Sequence, residues 1–151
     1  MKDSYSIEMP EHDHTSVEDA LTAHLGREPL TDLCEQCGTH GRREKNTEIK
    51  RWPNNLVLHF KRLQWDRAAG RLRKNDKDIT FEAILGIRND IRYRLRGVIV
   101  HTGHAGGGHY TAFVRNREDT WFFCNDAQEP QHLDNIAYVM QAKPYMLFYE
   151  R

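Results

Sequence analysis

Two rhythms of apolar and polar residues divide the chain. In "SVEDALTAHL" the positions Val17, Ala20, Leu21, His24 and Leu25 fall at i, i+3, i+4, i+7 and i+8, the spacing of one mostly apolar helix face. Ser16 precedes them and Asp19 stands three residues on, which predicts a capping box at the N-terminal end. Gly26 is expected to close the helix as a C-cap residue. Further along, the rhythm shortens to two. "TEIKRW", "NLVLHFKRL", "DITFEAIL", "YRLRGVIVHTG", "HYTAFVRN", "TWFFCND" and "PYMLFYER" are rich in β-branched and aromatic residues, and several alternate as half-buried strands do. Pro53-Asn54 turns the first pair. "WDRAAGRLRKNDK" reads as a charged loop or hairpin tip, and "DNIAYVMQA" as one short helix between the last two strands. Residues 1–15 form a polar lead-in, and "CEQCGTHGRREKN" a polar segment containing glycine. One helix followed by mostly sequential antiparallel strands is an α+β layout.

Composition narrows the function classes. With 151 residues the chain is one domain or part of one, with a single core. Lys+Arg and Asp+Glu are both 22, which argues against a nucleic-acid binder or an anionic-membrane binder. No apolar run approaches the ~18 residues of a membrane span. The first residues are too polar for a signal peptide. Three cysteines, two of them as Cys34-x-x-Cys37, suit a reducing compartment, cytoplasm or nucleus, better than a disulfide scaffold.

The sharpest candidate for chemistry is His109, in "HTGHAGGGHYTAF". Histidine is the commonest general base near neutral pH, and it needs an acceptor to orient one ring nitrogen. Gly106, Gly107 and Gly108 lead into it and bury nothing, so they mark either a tight turn or a close backbone approach beside a base. If "HYTAFVRN" and "TWFFCND" pair as a hairpin, Asn125 and Asp126 return to the level of His109. The plainer reading is a histidine at a strand end and an Asn-Asp turn. Cys124 adjoins Asn125, and neighbours on a strand point to opposite faces, so Cys124 is expected to face packing. Cys34 and Cys37 have the spacing of half a tetrahedral zinc site, to which His40, His12 or His14 could add nitrogen; two thiols in a loop is the plainer alternative.

Taken in order, these motifs resemble those of the ubiquitin-specific proteases, the papain-like cysteine deubiquitinases. "SVEDALTAHLGREPLTDLCEQCG" is similar to the segment entering that family's second zinc-binding Cys-x-x-Cys, and "IKRWPNNLVLHFKRL" to its Pro/Leu/His/Lys/Arg strand pair. "YRLRGVIVHTGHAGGGHYTAFV" resembles the histidine box, "WFFCNDAQEP" the Asn/Asp box and "PYMLFYER" the closing strand. The resemblance runs from Tyr5 to Arg151.

That resemblance implies a papain-like fold whose palm is a mostly antiparallel sheet with few helices. It places His109 on the catalytic histidine, Asn125 on its orienting partner and Asp126 on the supporting acid. Cys34 and Cys37 fall on half of the finger zinc site, so zinc is the implied cofactor. The implied partner is ubiquitin or a ubiquitinated protein, whose Gly-Gly tail threads past the histidine. No stretch matches the Gly-x-x-x-Cys box with the nucleophile, so residues 1–151 are expected to be the C-terminal finger and palm portion, without the thumb. Alone, such a chain is expected to be inactive unless another chain supplies the thumb. Two other classes stay open: a non-catalytic ubiquitin-binding pseudoenzyme, and a zinc-dependent interaction or nucleic-acid domain resting on Cys34 and Cys37.

Overall fold

The computed structural model describes residues 4–8, 15–30, 36–38, 43–87 and 90–151. In chain order these form β1 (Ser4–Glu8), β2 (Thr15–Ser16), α1 (Val17–His24), β3 (Arg27–Leu30), β4 (Arg43–Asn46) and β5 (Asn55–Lys61). Next come β6 (Leu63–Asp66), β7 (Arg71–Lys74), β8 (Ile79–Thr80), β9 (Ile84–Ile87) and β10 (Ile91–His104). The chain ends with β11 (Gly107–Arg115), β12 (Trp121–Cys124), β13 (Gln131–Leu133), α2 (Ala137–Met140) and β14 (Pro144–Glu150). Eight strands make the main sheet, in the order β1-β5-β14-β10-β11-β12-β13 with β9 beside β10. All its pairings are antiparallel except β1 with β5.

Alternation in the sequence becomes one-sided burial. Leu56, Leu58 and Phe60 of β5, Tyr93, Leu95 and Val98 of β10, and Leu147 and Tyr149 of β14 form the core. Val17, Ala20 and Leu21 of α1 belong to the same cluster, as the helical spacing requires. The capping box is present: Ser16 Oγ accepts from the Asp19 amide at 3.0 Å, and Asp19 Oδ2 accepts from the Ser16 amide at 3.4 Å. Among the described residues, no helix is long and apolar enough to cross a membrane.

Five expectations are corrected. "TEIKRW" is not a strand; Arg43–Asn46 pairs instead with Arg27–Leu30 in a polar ribbon, which hydrophobic alternation cannot reveal. "DITFEAIL" is split into β8 and β9. The polar lead-in contains β1, and the last strand, β14, inserts between β5 and β10 rather than following its predecessor. Gly26 follows the C-cap Leu25 and is not left-handed. A side chain there would press on the Thr22 and Ala23 carbonyls at 3.2 and 3.3 Å, so crowding by the last helical turn favours the glycine.

Where β5 passes into β6, the fold is tied by one cation. Arg62 is 2% exposed. Its Nε donates to the Pro144 carbonyl at 2.8 Å, and its Nη1 to the Asn75 and Lys77 carbonyls at 2.9 Å each. Burial lowers the pKa of this guanidinium, against the pull of Asp76 and Asp78. The Asn75 amide donates to the Arg62 carbonyl at 2.7 Å, closing the base of the β6–β7 hairpin.

Candidate active site

His109 stands near the start of β11, opposite Thr102 of β10. The pair belongs to a hairpin in which Gly103 faces Gly108 and His104 faces Gly107. The glycines have local reasons. Gly103 has φ +123, and a Cβ on it would lie 2.7 Å from the Gly107 carbonyl oxygen. A Cβ on Gly108 would collide with the His101 ring and the Thr102 carbonyl oxygen. The close approach at Gly108 is therefore made, in the first place, by its own hairpin partner.

The next hairpin brings the acceptor back. Asn116 Oδ1 accepts from the Glu118 and Thr120 amides at 3.0 and 2.9 Å, and Asp119 turns the chain at φ 64. The Asp119 carboxylate draws in Arg94 and Arg115 at 3.2 Å and Arg96 at 3.5 Å. β12 then pairs with β11 so that Cys124 faces Ala112. The alternation of faces puts Cys124 on the side of Ala112, away from His109, and brings Asn125 to the histidine's side. His109 Nε2 lies 2.5 Å from Asn125 Oδ1. The Gln128 amide donates to the Asn125 carbonyl at 3.0 Å, and Asp126, at φ 47, swings its carboxylate to 3.9 Å from His109 Nδ1.

This geometry has a chemical consequence. An amide oxygen only accepts, so Nε2 carries the ring hydrogen and Nδ1 of the neutral ring keeps a lone pair. Nδ1 can therefore take a proton. The imidazolium so formed would sit beside Asp126, too far for a hydrogen bond but within ion-pair reach. His109 is 48% exposed and Asp126 76%, so the site is open on the Nδ1 side.

On the other face of the hairpin is a group of rings that the sequence reading did not single out. His101 pairs with Tyr110, their centroids 4.7 Å apart. Tyr145 lies 5.4 Å from Tyr110, 5.8 Å from His101 and 5.1 Å from His59. The "VIVHTG" and "GHYTAF" alternation, once folded at the glycines, would have paired His101 with Tyr110; Tyr145 and His59 needed the strand order. Burial, then Lys61, holds His59 below the ordinary histidine value, and burial, then Lys74, does the same for His101. The buried His101 Nδ1 has no hydrogen-bond partner among the described residues.

A ring whose folded pKa is depressed binds its proton less well than the unfolded chain does. Its stability contribution is full above the unfolded value of about 6.5 and is lost as pH falls towards the folded value. The melting temperature is thus expected to fall between about pH 7 and 5, with a flatter profile in His101→Gln. Superimposable profiles for the two proteins would contradict this.

Cys37 is exposed in a turn before Gly38, whose φ is +65. Cys34 lies outside the described residues, as do His12, His14 and His40. Among the described residues, no three His, Cys, Asp or Glu side chains are grouped to hold a metal.

Residues 7–149 match the family model described as ubiquitin carboxyl-terminal hydrolase. Human ubiquitin carboxyl-terminal hydrolase 15 is 34% identical over 131 residues, covering 78% of this chain and 13% of its own length. Ubiquitin carboxyl-terminal hydrolase 23 of Arabidopsis thaliana is 30% identical over 127 residues, covering 78% of this chain and 14% of its own. A solved SAGA DUB module of Ubp8, Sgf11, Sus1 and Sgf73, bound to monoubiquitin, matches with a TM-score of 0.83 and 28% identity, over 98% of this chain and 34% of the matched one. The same module bound to ubiquitin aldehyde matches at 0.80 and 26%, over 98% and 35%. The chain thus spans about a seventh of those two relatives and a third of the matched structures.

Proposed function

Because this chain belongs to the ubiquitin carboxyl-terminal hydrolase family, we propose that it supplies the proton-transfer half of a thiol-dependent site that removes ubiquitin from protein conjugates. The observation that carries this reading is the 2.5 Å contact of His109 Nε2 with Asn125 Oδ1. Nδ1 takes the proton from a cysteine thiol, and the thiolate attacks the carbonyl carbon of ubiquitin's last glycine. The carbon–nitrogen bond breaks as the imidazolium returns that proton to the leaving lysine amine; water then cleaves the thioester. Asn125 holds the ring in the Nε2–H form throughout, and Asp126 neighbours the transient imidazolium.

Cys124 is on the wrong face to be the nucleophile, so the thiol comes from a thumb segment or a partner chain. Ubiquitin is the proposed partner, in line with the ubiquitin-bound modules whose fold the chain shares. Cys34 and Cys37 would offer zinc two thiolates, leaving two tetrahedral positions for other ligands.

The test has two arms. The isolated 151-residue chain should stay unlabelled by a ubiquitin probe with a C-terminal electrophile. Joined behind a cysteine-box segment from a relative, placed upstream of Tyr5, it should hydrolyse a fluorogenic ubiquitin amide. A stoichiometric adduct on Cys124 would overturn the assignment of faces. A joined protein that folds and binds ubiquitin without cutting would mark a non-catalytic ubiquitin-binding module instead.

A further inference from the structure

Strand β14 accompanies β10 only as far as Val100, which pairs with Pro144. Beyond it β10 runs on for four residues with β11 on one side, and Thr102 sits opposite His109. Carbonyls alternate along a strand. The Thr102 oxygen crowds Gly108 on the β11 side, so those of His101 and Gly103 point to the edge that β14 has left. Bare edge carbonyls are a cost the fold must meet.

Lys74 meets it. Its Nζ donates to the His101 carbonyl at 2.9 Å and to the Gly103 carbonyl at 3.0 Å, and pairs with Asp76 Oδ1 at 2.9 Å. An ammonium has three donors, and here all three are used. The side chain is 8% exposed, little more than a core residue. Lys74 is also the last residue of β7, whose hairpin with β6 forms a sheet of its own. One ammonium therefore stands in for the missing strand and ties the hairpin to the two residues that flank His109's cross-strand partner.

We propose that Lys74 is the positioning residue for His109. By capping the carbonyls on either side of Thr102 it holds the end of β10 in register, and β11 then presents the His109 ring to Asn125. The inference rests on the reading of His109 as the base, but it concerns the ring's placement, which can be read without turnover. The β6–β7 hairpin becomes a handle on the site: whatever displaces it displaces the carbonyls opposite the base.

The experiment uses the 151-residue chain and two readouts, the nitrogen shifts of the His109 ring by NMR and site-resolved amide exchange. In Lys74→Met the amides of residues 103–110 should exchange about tenfold faster or more, since two charge-assisted bonds are lost. Those of residues 93–98 should stay within about twofold of the parent, as local opening requires. The His109 Nε2–H signal should broaden or vanish. Lys74→Gln, with a polar end suited to the edge of the site, is the second variant should Lys74→Met not fold, and the same pattern is expected. Asp76→Asn, which keeps both carbonyl bonds, should leave the His109 ring unmoved.

An unchanged His109 ring in the lysine variants, or exchange that accelerates equally across the whole sheet, would overturn the proposal. Neither result would touch the catalytic reading. Conversely, an inert His109 in the joined enzyme would leave the placement result standing.

Discussion

In the enzyme completed with a cysteine segment, His109→Ala is expected to lower kcat/KM for a ubiquitin amide by about four to six orders of magnitude, the scale on which catalytic triads fail when the base is removed. The physical reason is the thiol. Without a base it returns to a pKa of about 8.5, mostly protonated at neutral pH and a poor nucleophile. The leaving amine also loses its proton donor. Asn125→Ala should cost less, because an orienting group is not itself transferred. Cys124→Ser should cost least, since Cys124 shares the face of Ala112. Equal losses at His109 and Cys124 would reverse the assignment of faces.

The second large effect is on stability. Arg62→Leu is expected to cost ~3 kcal/mol or more, because it strands the carbonyls of Pro144, Asn75 and Lys77, and each buried unpaired acceptor costs ~1–3 kcal/mol. Part of that loss is offset by release of the buried charge and of Nη2, which has no partner among the described residues. Arg62→Lys should recover only part of the loss, since a single ammonium cannot reproduce the fork that spans Pro144 and the two hairpin carbonyls. Urea unfolding reads both variants, and a Leu variant with the parent's midpoint would show that the three bonds contribute nothing net.

What could be read along the chain follows the range of each physical signal. The helix from Val17, its Ser16–Asp19 capping box and the long β10–β11 hairpin are local, so spacing and turn residues sufficed. The approach of Asn125 to His109 was also legible, because a strand up and a strand back of equal length must return to the same level. The position of β14 between β5 and β10 was not, since nothing in "PYMLFYER" says which edge it joins. The β3–β4 ribbon escaped because "REPL" and "REKN" show no apolar alternation. Arg62 and Lys74 escaped as well. Lys74 falls in the charged segment "WDRAAGRLRKNDK" and Arg62 at the end of "NLVLHFKRL", and only the tertiary fold shows that each is spent on backbone carbonyls. The ring wall needed four strands brought together before His59, His101, Tyr110 and Tyr145 could be recognised as neighbours.

That His109 presents a bare Nδ1 to the open side of the site is tested most directly by its ring nitrogens. In the neutral ring of the 151-residue chain, NMR should find Nε2 carrying the hydrogen, coupled to Asn125, and Nδ1 unprotonated. In Asn125→Ala that preference should be lost. The opposite tautomer, with Nδ1–H turned towards Asp126 and Nε2 accepting from the Asn125 amide, would leave no lone pair where a thiol proton must go, and would contradict the assignment of His109 as the base.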